Sequence, residues 1–104
     1  MIRTYLAAHA AGDPDSAIGS FAPDPVVVDD GRTFAGTVRV REFLERAGSE
    51  YTFTTELVGA ERVDDTHWVA RVRLEGDFPG GVADLAYRFT LAAGDSIAEL
   101  VIAP

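Results

Sequence analysis

"HWVARVRLEGDFPGGVADLAYRFTL", residues 67–91, decides the fold. On either side of a Pro-Gly-Gly break, apolar side chains recur at every second position. Trp68, Ala70, Val72 and Leu74 alternate with His67, Val69, Arg71, Arg73 and Glu75, and Leu85, Tyr87, Phe89 and Leu91 alternate with Asp84, Ala86, Arg88 and Thr90. A period of two sends successive side chains to opposite faces, so each run is a strand with one apolar and one polar face. A break this short can join only antiparallel neighbours. The first set in each strand faces a core. The charges of the second form cross-strand ladders on the other face, which is either solvated or a polar dimer interface.

The same period extends to both sides of the quoted stretch. Strands are expected near 50–63, 66–78, 82–92 and 96–102, punctuated by Asp64-Asp65, Pro79-Gly80-Gly81 and Ala93-Gly94-Asp95. They form a four-stranded antiparallel meander. Upstream the period becomes helical. Ile2, Tyr5, Leu6 and His9 follow the i, i+3, i+4, i+7 rule and Gly12 ends that helix. Asp13 caps a second helix with Pro14 at its first position. Ala17, Ile18 and Phe21 give this helix an apolar face, and "APDP" at 22–25 stops it. Residues 25–29 read as a strand, Asp30-Gly31 as a tight turn and 32–35 as the return strand. Gly36-Thr37 opens a third helix with Val40, Phe43, Leu44 and Ala47 buried and Gly48 as the residue beyond its end.

Three amphipathic helices can cover a sheet that has one apolar face. The fold class is therefore α+β in the order α-α-β-β-α-β-β-β-β, as a single domain over 1–104. No apolar run reaches the roughly 18 residues of a membrane helix, and the N-terminus lacks the apolar segment of a signal peptide, so a cytoplasmic protein is expected. With no cysteine, disulfides, thiolate catalysis and cysteine-bound metals are excluded. The net charge is −8 and all nine basic residues are scattered arginines, which argues against a nucleic-acid partner. The absence of Lys, Asn and Gln beside abundant Ala reads as the codon bias of a GC-rich bacterial genome. Two isolated histidines lack the spacing of a zinc site, so no metal and no cofactor is expected.

Some residues invite chemistry. Asp30 before Gly31 is a hairpin residue, because both tolerate positive φ. Asp29 shares strand parity with Val27, so it either points inward as a carboxylate of raised pKa, suited to taking a proton next to a carbonyl, or is a solvated strand-end acid paired with Arg32. Tyr5 lies on the buried stripe of the first helix, as a core phenol or as a donor to a developing enolate oxygen. Tyr87 has the inner parity and the same two readings. His9, one turn beyond Tyr5, is a proton shuttle or a histidine held by a helix C-terminus. Trp68 is core or pocket wall.

The order of elements resembles the nuclear transport factor 2-like superfamily, in its SnoaL-like and ketosteroid isomerase-like branch. The resemblance is carried by "YLAAHAAGDPDSAIGSFAPDPVVVDDGRTFAG" at 5–36, "VREFLERA" at 40–47 and "YRFTLAAGDSIAELVIAP" at 87–104. It implies a cone-shaped, strongly curved antiparallel sheet enclosing an apolar pocket, with the outer sheet face forming a homodimer. It further implies Asp29 as base, Tyr5 as hydrogen-bond donor, with His9 beside it, and a pocket wall from Tyr87, Trp68, Phe21, Phe43 and Phe53. The third family position, an acid on the third meander strand, is occupied here by Tyr87. The Asp–Arg–Asp set of the epoxide-hydrolase branch cannot be assembled. The first helix is also shorter than in many relatives, which implies a pocket that is shallow, open at that end or lidded by a partner subunit. The activities that follow are cofactor-free proton transfer of an isomerase or cyclase type, binding of an apolar small molecule without catalysis, or a structural dimer with a filled pocket.

Overall fold

The computed structural model describes residues 2–49 and 53–104. Helix α1 (Ile2–Ala10) ends where Gly12 adopts φ +65°, a left-handed conformation that glycine reaches without steric cost. The Gly12 and Asp13 amides close this turn by donating to the carbonyls of His9 and Ala8. Helix α2 (Pro14–Ile18) starts as its sequence dictates, with Pro14 in the first turn and the Asp13 carboxylate accepting from the Ser16 amide and hydroxyl. Helix α3 (Thr37–Ser49) is tied to α2 by an exposed Arg41–Asp15 ion pair. It runs through Gly48, expected just beyond its end, because one glycine costs a helix only about 1 kcal/mol relative to alanine. The side chain of Ala47 and the expected strand start at 50–52 lie outside the described residues.

Six strands form one curved sheet that does not close: β1 (Phe21–Asp29), β2 (Arg32–Ala35), β3 (Phe53–Arg62), β4 (His67–Gly76), β5 (Val82–Leu91) and β6 (Ile97–Ala103), in the order β2-β1-β6-β5-β4-β3. The meander β3 to β6 is antiparallel as expected. The two halves join through β1 and β6, which pair in parallel. That pairing corrects the sequence reading of β1. The strand begins at Phe21, so Phe21 belongs to the sheet and not to α2, and "APDP" lies inside the strand. Two prolines cannot donate to a ladder, and Asp24 turns to φ +53° between them. The register of β1 against β6 shifts there.

The two faces segregate as the alternation requires. Ala70, Val72, Tyr87, Phe89 and Leu91 are buried under the helices with Tyr5, Leu6, Val40 and Leu44. Fully burying an aliphatic or aromatic side chain contributes roughly 1.5–3 kcal/mol, so this contiguous layer is what holds helices to sheet. On the opposite face Arg71, Arg73, Glu75, Asp84 and Arg88 are exposed. Arg73 donates to its cross-strand partner Asp84 at 2.9 Å.

Candidate functional site

The register of three adjacent strands builds the site. Asp29 on β1 stands beside Ile102 on β6, and Ile102 stands beside Tyr87 on β5. Strands are about 4.8 Å apart, so Asp29 and Tyr87 are two strand spacings, roughly 10 Å, from each other on one face. That face is the inner one, since Asp29 has the parity of Val27, which is fully buried. The tight turn that follows has positive φ at both Asp30 and Gly31, the geometry that matches the twist of a two-residue hairpin. The hairpin therefore delivers Asp29 to the rim of the cone.

There the helices and sheet leave a cavity of about 460 Å³, within the range of small-molecule sites. Its wall includes Asp29, Asp30, His9 and Tyr87. Phe43 from α3 and Phe53 from β3 line it. Leu74, Leu85 and Ile102 continue the apolar wall, and Phe78 and Pro79 enter from the β4–β5 turn. Tyr5 is fully buried behind this wall. Its ring stacks parallel to His9 with centroids 6.0 Å apart and meets Phe21 and Phe89 edge-on. Its hydroxyl has no hydrogen-bond partner among the described residues.

Electrostatics distinguish these groups. Burial raises the Asp29 carboxyl above the ordinary carboxylate value and the neighbouring Asp30 adds to the rise, while Arg32 across the hairpin opposes it. Burial pushes up both phenols, and each also feels the Asp29 charge. Burial lowers the pKa of His9, so the imidazole is neutral at physiological pH. Among the described residues neither Asp29 nor Asp30 makes a side-chain hydrogen bond or salt bridge. No three His, Asp or Glu side chains among them cluster as metal ligands. A carboxylate of raised basicity, a phenol and a neutral imidazole around an apolar space can move protons at a ligand.

Two expected wall residues are elsewhere. Phe21 packs on Tyr5 at the start of β1, away from the cavity. Trp68 lines a second, larger cleft of about 770 Å³ with Ile2, Arg3, Leu57, Arg62 and Asp65. Volume alone does not make that cleft the reacting site: its Arg62 and Asp65 pair at 2.9 Å and its Arg3 and Asp95 are exposed, so no described residue there is a half-buried carboxylate. Asp84 is also outside the cavity, held on the outer face by Arg73. Leu74 and Leu85 share the parity of Tyr87 and were legible as inner-face residues. Phe78 and Pro79 lie in a turn, where alternation carries no information.

A SnoaL-like domain profile matches residues 2–100. No curated protein matches the chain significantly. A candidate polyketide cyclase from Sinorhizobium meliloti is similar at 30% identity over 98% of this chain and 92% of its own, with a TM-score of 0.88. A protein with a ketosteroid isomerase-like fold from Catenulispora acidiphila, solved with trimethylamine, superposes with a TM-score of 0.86 at 18% identity over 99% of this chain and 83% of its own. Rv0760c of Mycobacterium tuberculosis, solved with estradiol-17beta-hemisuccinate, gives 0.80 at 14% identity over 96% and 87%.

Proposed function

The chain belongs to the SnoaL-like family, and from that premise we propose that it is a cofactor-free proton-transfer enzyme of the cyclase or isomerase type, acting next to the carbonyl of an apolar small molecule. The observation that carries this reading is Asp29, a half-buried carboxylate without an ion pair, facing a cavity with Tyr87. Asp29 takes the proton α to the carbonyl. Its raised pKa brings it closer to the carbon acid and to the working pH, which makes it a better base than an exposed aspartate. Tyr87 donates to the oxygen on which the enolate charge develops. Tyr5, enclosed behind the wall, acts through the His9 ring that stacks on it, and neutral His9 relays a proton between oxygen and carbon. The small ligands of its structural neighbours support a small-molecule occupant.

The experiment uses 2-tetralone in heavy water, with deuterium uptake α to the carbonyl followed by proton NMR. Wild type is expected to accelerate uptake over buffer, and Asp29→Asn to lose about 10²–10⁴-fold. Uptake by the Asp29→Asn protein equal to wild type removes the proposal.

The second reading is a binder that catalyses nothing. It is favoured by Tyr87 standing where the resemblance expects an acid, and by the enclosed Tyr5 hydroxyl. Native mass spectrometry that finds a retained small molecule, without deuterium exchange, supports it. Tyr5→Phe separates the two. In a binder the change deletes an unpaired buried hydroxyl and raises stability by about 1 kcal/mol with no other effect. In the enzyme it also slows exchange. The third reading, a pocket filled by its own side chains, has the cavity beside Asp29 against it.

The homodimer is proposed through the outer sheet face, where Val26, Val28, Val69 and Val101 are half-buried among the charges. Light scattering on the purified protein measures it, and a monomer rejects it. A cytoplasmic location is part of the same reading. No helix among the described residues is long and apolar enough to cross a membrane.

A further inference from the structure

The charges around the cavity say more about its ligand than its apolar wall does. Asp29 and Asp30 both line it, and no Arg does. Among the described residues the remaining titratable groups on the wall are His9, neutral through burial, and Tyr87, protonated for the same reason. Arg32 stands opposite Asp29 across the hairpin without forming a salt bridge to either aspartate. One arginine against two carboxylates leaves the mouth with an excess negative charge. Four rings, from Phe43, Phe53, Phe78 and Tyr87, surround the space within. Aromatic faces attract cations, and more strongly where water is excluded. An anionic ligand would meet like charge at the mouth and no donor cation inside.

We propose that the ligand of this cavity carries a cationic nitrogen, which Asp30 reads at the mouth while Phe43, Phe53, Phe78 and Tyr87 hold its apolar body. The proposal rests on the reading of the same cavity as the substrate site and adds the substrate class: an apolar carbonyl compound bearing an ammonium group. The two aspartates then divide the work. Asp30 is exposed in the turn and fixes the ammonium end, whereas the half-buried Asp29 faces the carbon acid. Asp30 is a specificity-determining residue as well as a turn residue.

The turn itself makes the test clean. Asn tolerates positive φ as Asp does, and Asn-Gly is a favoured pair for this two-residue hairpin. Asp30→Asn therefore removes the charge and keeps the backbone. The probes are phenethylammonium, 2-phenylethanol and phenylacetate, titrated into wild type, Asp30→Asn and Asp29→Asn at neutral pH and low salt, with binding read by NMR chemical shifts. Wild type is expected to bind the ammonium roughly tenfold more tightly than the alcohol, and phenylacetate most weakly. Asp30→Asn should lose most of that preference while its thermal midpoint and its affinity for the alcohol stay close to wild type. Equal affinity for amine and alcohol in wild type overturns the proposal, as does absence of binding by all three. A preference that survives in Asp30→Asn and vanishes in Asp29→Asn overturns the assignment to Asp30. These ratios contain no reaction rate, so they stand apart from the base assignment, which fails only if Asp29→Asn exchanges 2-tetralone at the wild-type rate.

Discussion

The chain contains "VDD" twice, at 28–30 and at 63–65, each time at the end of a strand before a tight turn. The surroundings make opposite use of them. In the second turn Asp64 Oδ1 accepts from the Thr66 amide at 2.9 Å and from its hydroxyl at 3.3 Å, and His67 Nδ1 lies 2.7 Å away. These bonds lower the Asp64 carboxyl to about 2. Asp65 pairs with Arg62. Every charge in that turn has a partner, and the turn is a structural joint. In the first turn Asp29 has no such partner, burial raises its pKa, and a cavity lies in front of it. A carboxylate that is costly to keep and left unpaired points to function, whereas one that is fully satisfied points to architecture.

The contrast can be broken by substituting the same residue at both places. Asp29→Asn should lower deuterium exchange of 2-tetralone by about 10²–10⁴-fold. Asp64→Asn, far from the cavity, should leave it within a factor of two, roughly the scatter of such rates. Equal losses would mean that the two turns differ in nothing that matters. Tyr87→Phe sharpens the site side of the comparison. Loss of one donor to a developing oxyanion is expected to cost about a hundredfold in rate with little change in substrate affinity.

Stability should move in the opposite sense at the two positions. A folded pKa above the unfolded one means that the folded protein binds the Asp29 proton more tightly, so that contribution is lost as pH rises through the raised value. At pH 7 the charged Asp29 opposes folding, and Asp29→Asn should raise the thermal midpoint by about 2 °C. Asp64→Ala should lower it, since the folded pKa of Asp64 is depressed. Its stabilisation is present above the ordinary value of 3.8 and is lost as pH falls toward about 2. Thermal melts at pH 7 and pH 2.5 read both signs.

The smallest effect belongs to His9. Its folded pKa is lowered, so the unfolded chain binds more protons as pH drops below the ordinary histidine value of 6.5. Stability should fall between pH 7 and pH 5, with a slope that His9→Gln removes. A slope unchanged in that variant would assign it to another group.

Much of this was legible in the sequence, for identifiable reasons. The alternation of 67–91 has a single physical meaning, so sheet, faces and outer charge ladder followed from it. Parity with Val27 reduced Asp29 to two directions, inward or solvated, and only the fold around the strand end separates them. The stripe of Ile2, Tyr5, Leu6 and His9 placed Tyr5 and His9 beside the core. What alternation cannot encode was missed. The parallel pairing of β1 with β6 depends on a contact between chain segments about 75 residues apart, and nothing local specifies it. The prolines of "APDP" signal a break, yet a bulge in a strand and the stop of a helix use the same residues. Trp68 had the right face and the wrong end of its strand, since parity fixes a side and gives no position along it. Asp30 was visible as a turn residue, but its place on the cavity wall depends on where the hairpin ends in space.

Carboxyl carbon-13 shifts of Asp29 and Asp64, followed from pH 8 to pH 2 in one sample, test the central contrast most directly. The account predicts that Asp29 titrates above 3.8, that Asp64 titrates near 2, and that phenethylammonium moves the first and leaves the second in place. Asp29 titrating at or below 3.8, or neither group responding to the amine, would contradict it.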